Sequence, residues 1–205
     1  MKHLELPPTL RTLNFDEVPK TKELIDAIEK SKQAKIVEGF TFTHNETHDL
    51  PFNFYAEINI DNSRLWDFFK TLALHLPVHI SLIYNRVDEK ANFGEYLDKF
   101  TVLNSIEKYK TEITQDCWLE FGVIHQTDEF LEEIFVDSTK FIKYWGCDEE
   151  WFRTTMNSFN IYETQGLNFI DEFPKVTEAL RLHNSHALET EDLIEELGDL
   201  GRGNQ

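Results

Sequence analysis

Between residues 116 and 145 the chain alternates short apolar and aromatic runs with polar breaks at 126–129 and 137–139. Trp118, Phe121, Val123, Ile124, Ile134, Phe135, Val136, Phe141, Ile142, Tyr144 and Trp145 are β-branched or aromatic residues that suit a pleated surface. This pattern predicts three antiparallel strands, at about 117–125, 131–137 and 140–145, with the second joint tight enough for a hairpin. The meander is expected to form the middle of a sheet.

Upstream, Phe54, Ala56, Ile58 and Ile60 alternate with polar residues, which predicts a half-buried strand. Residues 61–63 offer helix N-caps, and Leu65, Trp66, Phe69, Leu72, Ala73 and Leu76 then recur at helical spacing up to Pro77, predicting a helix over 63–75. Val78, Ile80, Leu82 and Tyr84 alternate again, so this strand–helix–strand unit is expected to run its two strands parallel in a right-handed crossover. A further strand is predicted over 36–43 and a short helix over 20–32, with Thr21 near its start. Asn92 and Glu95 resemble a capping box, and the apolar spacing from Phe93 to Ile113 predicts one long helix over 93–114. Residues 148–150 place acidic groups at the start of a helix reaching about 159, and Pro174 suits the first turn of another. The expected fold is α+β: a mixed, largely antiparallel sheet of about six strands, with helices covering mainly one face. Residues 1–182 are read as one domain, with 1–18 as an irregular arm. Residues 183–205 are read as an acidic tail, either frayed or forming a short docking helix in which Leu193, Ile194, Leu197 and Leu200 share one face.

Charge changes this picture. The 205-residue chain carries a formal net charge of −18. Residues 116–172 alone hold 13 acids against 3 bases, whereas residues 1–34 balance six of each sign. Such acidity disfavours nucleic acid and anionic membranes, whose recognition relies on Lys and Arg. No apolar run approaches the roughly 18 residues of a membrane span. Neither does the N-terminal sequence read as a signal peptide. Two cysteines, Cys117 and Cys147, do not make a disulfide framework and suit a reducing cytoplasm.

Candidate chemistry is sparse. In an extended segment His44, Glu46 and His48 would point the same way and converge on one ion, as a metal-dependent hydrolase would require. The segment reads as a polar turn, and no metal or other cofactor is expected. Glu120, Glu132, Glu133 and Asp137 lie on or beside the meander. They are read as an acidic docking surface, with Tyr144 and Trp145 as nearby aromatic anchors. No dinucleotide, P-loop, nucleophile-elbow or zinc-pair motif is present.

Three stretches carry a resemblance: DxWLEFGVI at 116–124, EIFVDSTKFIKYW at 133–145 and FIDEFPKVTEAL at 169–180. Together they resemble the second half of certain bacterial immunity proteins of polymorphic-toxin systems, over about residues 116–182. The resemblance implies a small, acidic, cytoplasmic α+β protein that binds a cognate toxin domain and blocks it without catalysis. It carries over no site residues, because the matched positions are strand and helix patterns. A basic toxin domain is the expected partner, since charge complementarity speeds association and selects partners. The alternative is a ligand-sensing regulatory α+β module, which needs a concave apolar pocket with a few polar groups.

Overall fold

The computed structural model describes residues 2–17, 19–47 and 49–200. In chain order the strands are β1 (Leu10–Thr12), β2 (Gly39–His44), β3 (Phe54–Asn59), β4 (His79–Arg86), β5 (Asn92–Phe93), β6 (Leu97–Asp98), β7 (Leu119–Gln126), β8 (Leu131–Val136), β9 (Ile142–Gly146) and β10 (Lys175–Thr177). The helices are α1 (Lys22–Gln33), α2 (Asn62–His75), α3 (Lys99–Glu107), α4 (Lys110–Gln115), α5 (Glu149–Ser158) and α6 (Thr190–Leu200). The class is α+β, as the sequence predicts, but the main sheet has eight strands rather than six, in the order β2-β3-β9-β8-β7-β4-β5 with β6 also on β4. All its ladders are antiparallel; the parallel contact is an isolated bridge between Phe40 and Glu163.

The predicted meander is present as β7, β8 and β9. Its strand directions make β3 and β4 run the same way, as the strand–helix–strand unit predicts. The two are not neighbours: β9, β8 and β7 lie between them, and α2 crosses behind. The face of α2 explains this position. Leu65, Trp66, Phe68, Phe69, Leu72 and Ala73 are buried, and the Phe69 ring meets that of Phe121 on β7 at 4.8 Å. Inward residues of the strands (Phe54, Ile58, Ile80, Val123, Ile134 and Ile142 among them) and residues from α2 through α6 form one continuous core.

Local signals explain several element boundaries. Asp148 caps α5 by accepting the Trp151 N–H at 2.9 Å, and Glu149 and Glu150 occupy the first turn, where the helix dipole favours negative charge. Thr21 caps α1. Asp61 holds the N-cap position of α2, but its carboxylate turns away from the helix. It accepts the Glu5 N–H at 2.8 Å and pairs with the Lys2 ammonium, fastening the N-terminal arm.

Four predicted segments differ: the long helix, the helix at Pro174, the irregular arm and the 36–43 strand. The long helix over 93–114 is instead β5, β6 and two shorter helices. Asn92 and Phe93 pair with Tyr84 and Ile83, and Asp98 caps α3 by accepting the Phe100 and Thr101 N–H groups. The apolar spacing there mimics a helix, yet Phe93, Tyr96 and Phe100 are exposed; strand pairing overrides the periodicity. The helix expected at Pro174 is β10, which pairs with β1 from the arm, so the arm is part of a two-stranded sheet. Arm, β10 and residues 167–173 cap one end of the main sheet, burying Leu10, Ile36, Cys117 and Ile170 together. The 36–43 strand begins later, at Gly39. The C-terminal segment forms α6, which lies on β4 with Leu193 and Leu197 in the core. It is pinned where the Thr190 hydroxyl donates to Asp116 at 2.6 Å and Arg86 meets Glu191 at 3.1 Å.

Trp66 is only 3% exposed, so Trp66→Ala is expected to cost about 3–5 kcal/mol. Phe93, 63% exposed despite its place in the same kind of apolar pattern, should cost under about 1 kcal/mol when changed to Ala. Urea denaturation of the two variants measures both.

Candidate functional site

Alternation along a strand sends neighbouring side chains to opposite faces. With the helices α2–α6 gathered on one face of the main sheet, the register defines what the other face presents. One outward row crosses the sheet as Thr43, Tyr55, Trp145, Glu133, Ile124 and Ser81. The next is Thr41, Glu57, Lys143, Phe135, Gly122 and Ile83. Tyr55, Glu57, Glu133, Phe135, Lys143 and Trp145 are half-buried: packed on each other, with part of each left to solvent. Gly122 gives this face its shape. A Cβ there would stand 2.5 Å from the Ile134 carbonyl oxygen and 3.1 Å from the Phe135 ring, so glycine lets that ring lie across the strand.

The six candidates from the sequence divide by parity. Glu120, Glu133, Asp137 and Trp145 belong to the outward face; Glu132 and Tyr144 point inward. Consecutive residues of a strand cannot share a face, so of Glu132 and Glu133, and of Tyr144 and Trp145, only one each can meet a partner. Tyr144 is 0% exposed, with Phe54 and Phe152 against its ring, which corrects its reading as a surface anchor. Glu132 is 2% exposed, which removes it from the docking surface. Asp137, also buried, is a turn residue. It accepts the Thr139 N–H at 3.1 Å and the Lys143 ammonium at 2.7 Å. Burial works to raise its pKa, but these bonds hold the carboxyl below the ordinary range. The turn itself needs Lys140 in the left-handed region, at φ +67°. Glu120 accepts from the Asn85 side-chain amide at 2.8 Å.

Glu133 and Trp145 remain. Trp145 packs on Tyr55, ring centroids 4.9 Å apart at 39°. The Tyr55 hydroxyl, a residue sequence reasoning passed over, donates to Glu57 at 2.9 Å. Its signal was present: in an alternating strand whose even positions are Phe54, Ala56 and Ile58, Tyr55 and Glu57 must face the other way. Glu133 has no hydrogen bond or ion pair among the described residues, and burial alone pushes its carboxyl pKa up. Lys143, the cation of these two rows, is already taken by Asp137. At the Leu131 end the face runs toward a cleft of about 400 Å³ whose lining includes Asp49, Asp128, Glu129 and Cys147.

The proposed metal cluster does not form a strand: β2 ends at His44, and Glu46 lies in the following loop. His44 Nδ1 sits 3.6 Å from Glu149 of α5. His48 lies outside the described residues. Among the described residues no three His, Cys, Asp or Glu side chains are grouped as metal ligands, and no helix is long and apolar enough to cross a membrane. Cys117 is buried and accepts from the Thr9 hydroxyl at 3.2 Å; Cys147 is half-buried. His75 stacks flat on Trp151 at 3.6 Å. A second cleft, of about 370 Å³, lies where the arm meets α1 and is lined by Leu4, Leu6 and Ile36 with His3 and Lys32.

No protein family, curated protein or solved structure matches the chain.

Inside the core, burial pushes the Glu132 carboxyl up to about 7, against the hydrogen bond from the Cys147 N–H and with Asp148 adding to the rise. An acid whose folded pKa lies above its unfolded value of 4.5 stabilises the fold fully below that value. The contribution is lost as pH rises through about 7. Glu132→Gln should remove this dependence, making the variant more stable than wild type above pH 7 by roughly 2–3 kcal/mol while the two converge near pH 4.5. Denaturation curves of both proteins across that range give the difference directly.

Proposed function

We propose that the chain is a non-enzymatic protein-binding module whose outward sheet face receives a basic partner. The observation that carries this reading is the imbalance of that face: half-buried aromatic surface from Tyr55, Phe135 and Trp145, set among carboxylates whose one cation in the two described rows, Lys143, is paired with Asp137. A sheet face covered by helices on one side only keeps apolar area available for a partner, and aromatic residues there are the usual anchors of a protein interface. Local acidity adds selectivity and speed for a positively charged surface.

The resemblance over residues 116–182 gives this partner a biological class. In this proposal the chain is an immunity protein and the partner a basic toxin domain, neutralised because the sheet face covers its active surface. Steric and electrostatic occlusion then needs no catalytic residue on this chain. The cytoplasm, where a toxin would meet its target, is the proposed site of action.

The partner is sought first among products of genes adjacent to this one, by co-expression and pull-down. With the partner in hand, Glu57→Lys should slow association by roughly tenfold at low salt and flatten its salt dependence, because steering acts on encounter. Asp67→Lys, on the exposed side of α2, should leave both unchanged. Trp145→Ala should chiefly speed dissociation, costing about 2 kcal/mol or more. Equal effects from Glu57→Lys and Asp67→Lys would place binding elsewhere.

A further inference from the structure

The outward face carries one electrostatic fault. Glu133 stands on β8, directly across from Trp145 on β9 and Ile124 on β7. Its carboxylate is half-buried, and among the described residues it has neither a hydrogen bond nor an ion pair. The other acids of the strands and their turns on this face are engaged: Glu57 by the Tyr55 hydroxyl, Glu120 by Asn85, Asp137 by Lys143 and Thr139, while Asp171, on the segment after α5, lies near Lys143 and Lys175. A partly desolvated carboxylate without a donor costs free energy in the isolated chain, and a partner that supplies the donor recovers it on binding.

The surroundings specify that donor. Trp145 and Tyr55 set their rings side by side, 4.9 Å between centroids, in the same cross-strand row as the carboxylate. An aromatic face next to a carboxylate selects a flat cation. A guanidinium lies on an indole ring through cation–π contact and offers two parallel N–H donors to a carboxylate. An ammonium provides the charge but not the planar fork, and it gives up more hydration on leaving water. An apolar group would leave Glu133 buried without a donor.

We propose that the partner presents an arginine, whose side chain lays its guanidinium on the Trp145 ring and against the Glu133 carboxylate. The proposal rests on the reading of the outward face as the docking surface, and it adds the chemistry of the partner's central contact. Lys143 leaves the position open, because its ammonium is drawn 2.7 Å from Asp137 at the other end of the row pair.

The test uses the full chain and capped peptides containing three arginines, three lysines or three citrullines, followed by NMR at the side-chain carboxyl carbons of the aspartates and glutamates and at the indole N–H groups. The Trp145 indole signal is assigned with Trp145→Phe. The arginine peptide is expected to shift Glu133 and Trp145 together. The lysine peptide should bind several-fold more weakly and the citrulline peptide not measurably. Glu133→Gln, which keeps size and polarity, should weaken the arginine peptide by roughly tenfold. Arginine-peptide shifts confined to Asp49, Asp128 and Glu129, or undiminished in Glu133→Gln, would overturn the proposal. With a captured partner, the two levels separate. If hydrogen exchange shows β8 and β9 protected but Glu133→Gln leaves affinity unchanged, the arginine contact is wrong and the docking face stands. If protection falls on another face, the docking face is wrong as well.

Discussion

Burial of the apolar face of α2 against the meander is the contact on which the rest of the structure depends. The helix leaves β3, passes behind β9, β8 and β7, and returns the chain at β4, parallel to β3. Phe69 on Phe121, with Leu65 and Leu72 in the same core, binds three strands that come later in the chain to a helix that comes earlier. The sheet therefore cannot be completed from neighbouring segments alone. Such non-local pairing must be closed before its contacts repay the loop entropy.

The same contact determines where a partner can meet the protein. Once α2 occupies the inner face, α3, α4, α5 and α6 join it there and contribute to one core. The arm and residues 167–173 build two smaller clusters, and Phe169 and the Asn168 carbonyl reach the outward side of the sheet at Phe141 and Asn59. What remains is a sheet face with aromatic groups among acids, covered by no helix of the core layer. The acidity of residues 116–172 is thus split by the pleat. Glu132 goes into the core as a carboxyl with a raised pKa, Asp137 into a turn with Lys143 and Thr139, and Glu133 outward with no partner among the described residues.

Electrostatically the three acids differ in how burial is offset by the donors and charges that reach each. Hydrogen bonds to the ionised form lower a carboxyl pKa, and burial without them raises it. Asp137 has donors from Ser138, Thr139 and Lys143; Glu132 has the Cys147 N–H; Glu133 has none among the described residues. Binding sites concentrate such imbalance, because an interaction left unmade within the chain is available to a ligand.

Much of the fold was legible in the chain itself. Alternation identified β3, β4 and the meander; helical spacing identified α2; and Asp148 with Glu149 and Glu150 marked the start of α5, because these signals depend on neighbours within a few residues. Alternation also held the parity of the site, since 132 and 133, like 144 and 145, had to face opposite ways. The identity of the buried face was not in the pattern, and so Glu132 and Tyr144 entered the surface candidates. Pairing decided the remainder. Residues 92–98 have helical apolar spacing but were drawn into β5 and β6 by the edge of β4, and β10 formed only because β1 lay beside it. The sequence by itself determined which segments extend and which coil, along with the excess of acid in the second half. Tertiary structure alone decided which face of each strand is covered and which carboxylate lacks a donor, because both depend on atoms brought together from distant parts of the chain.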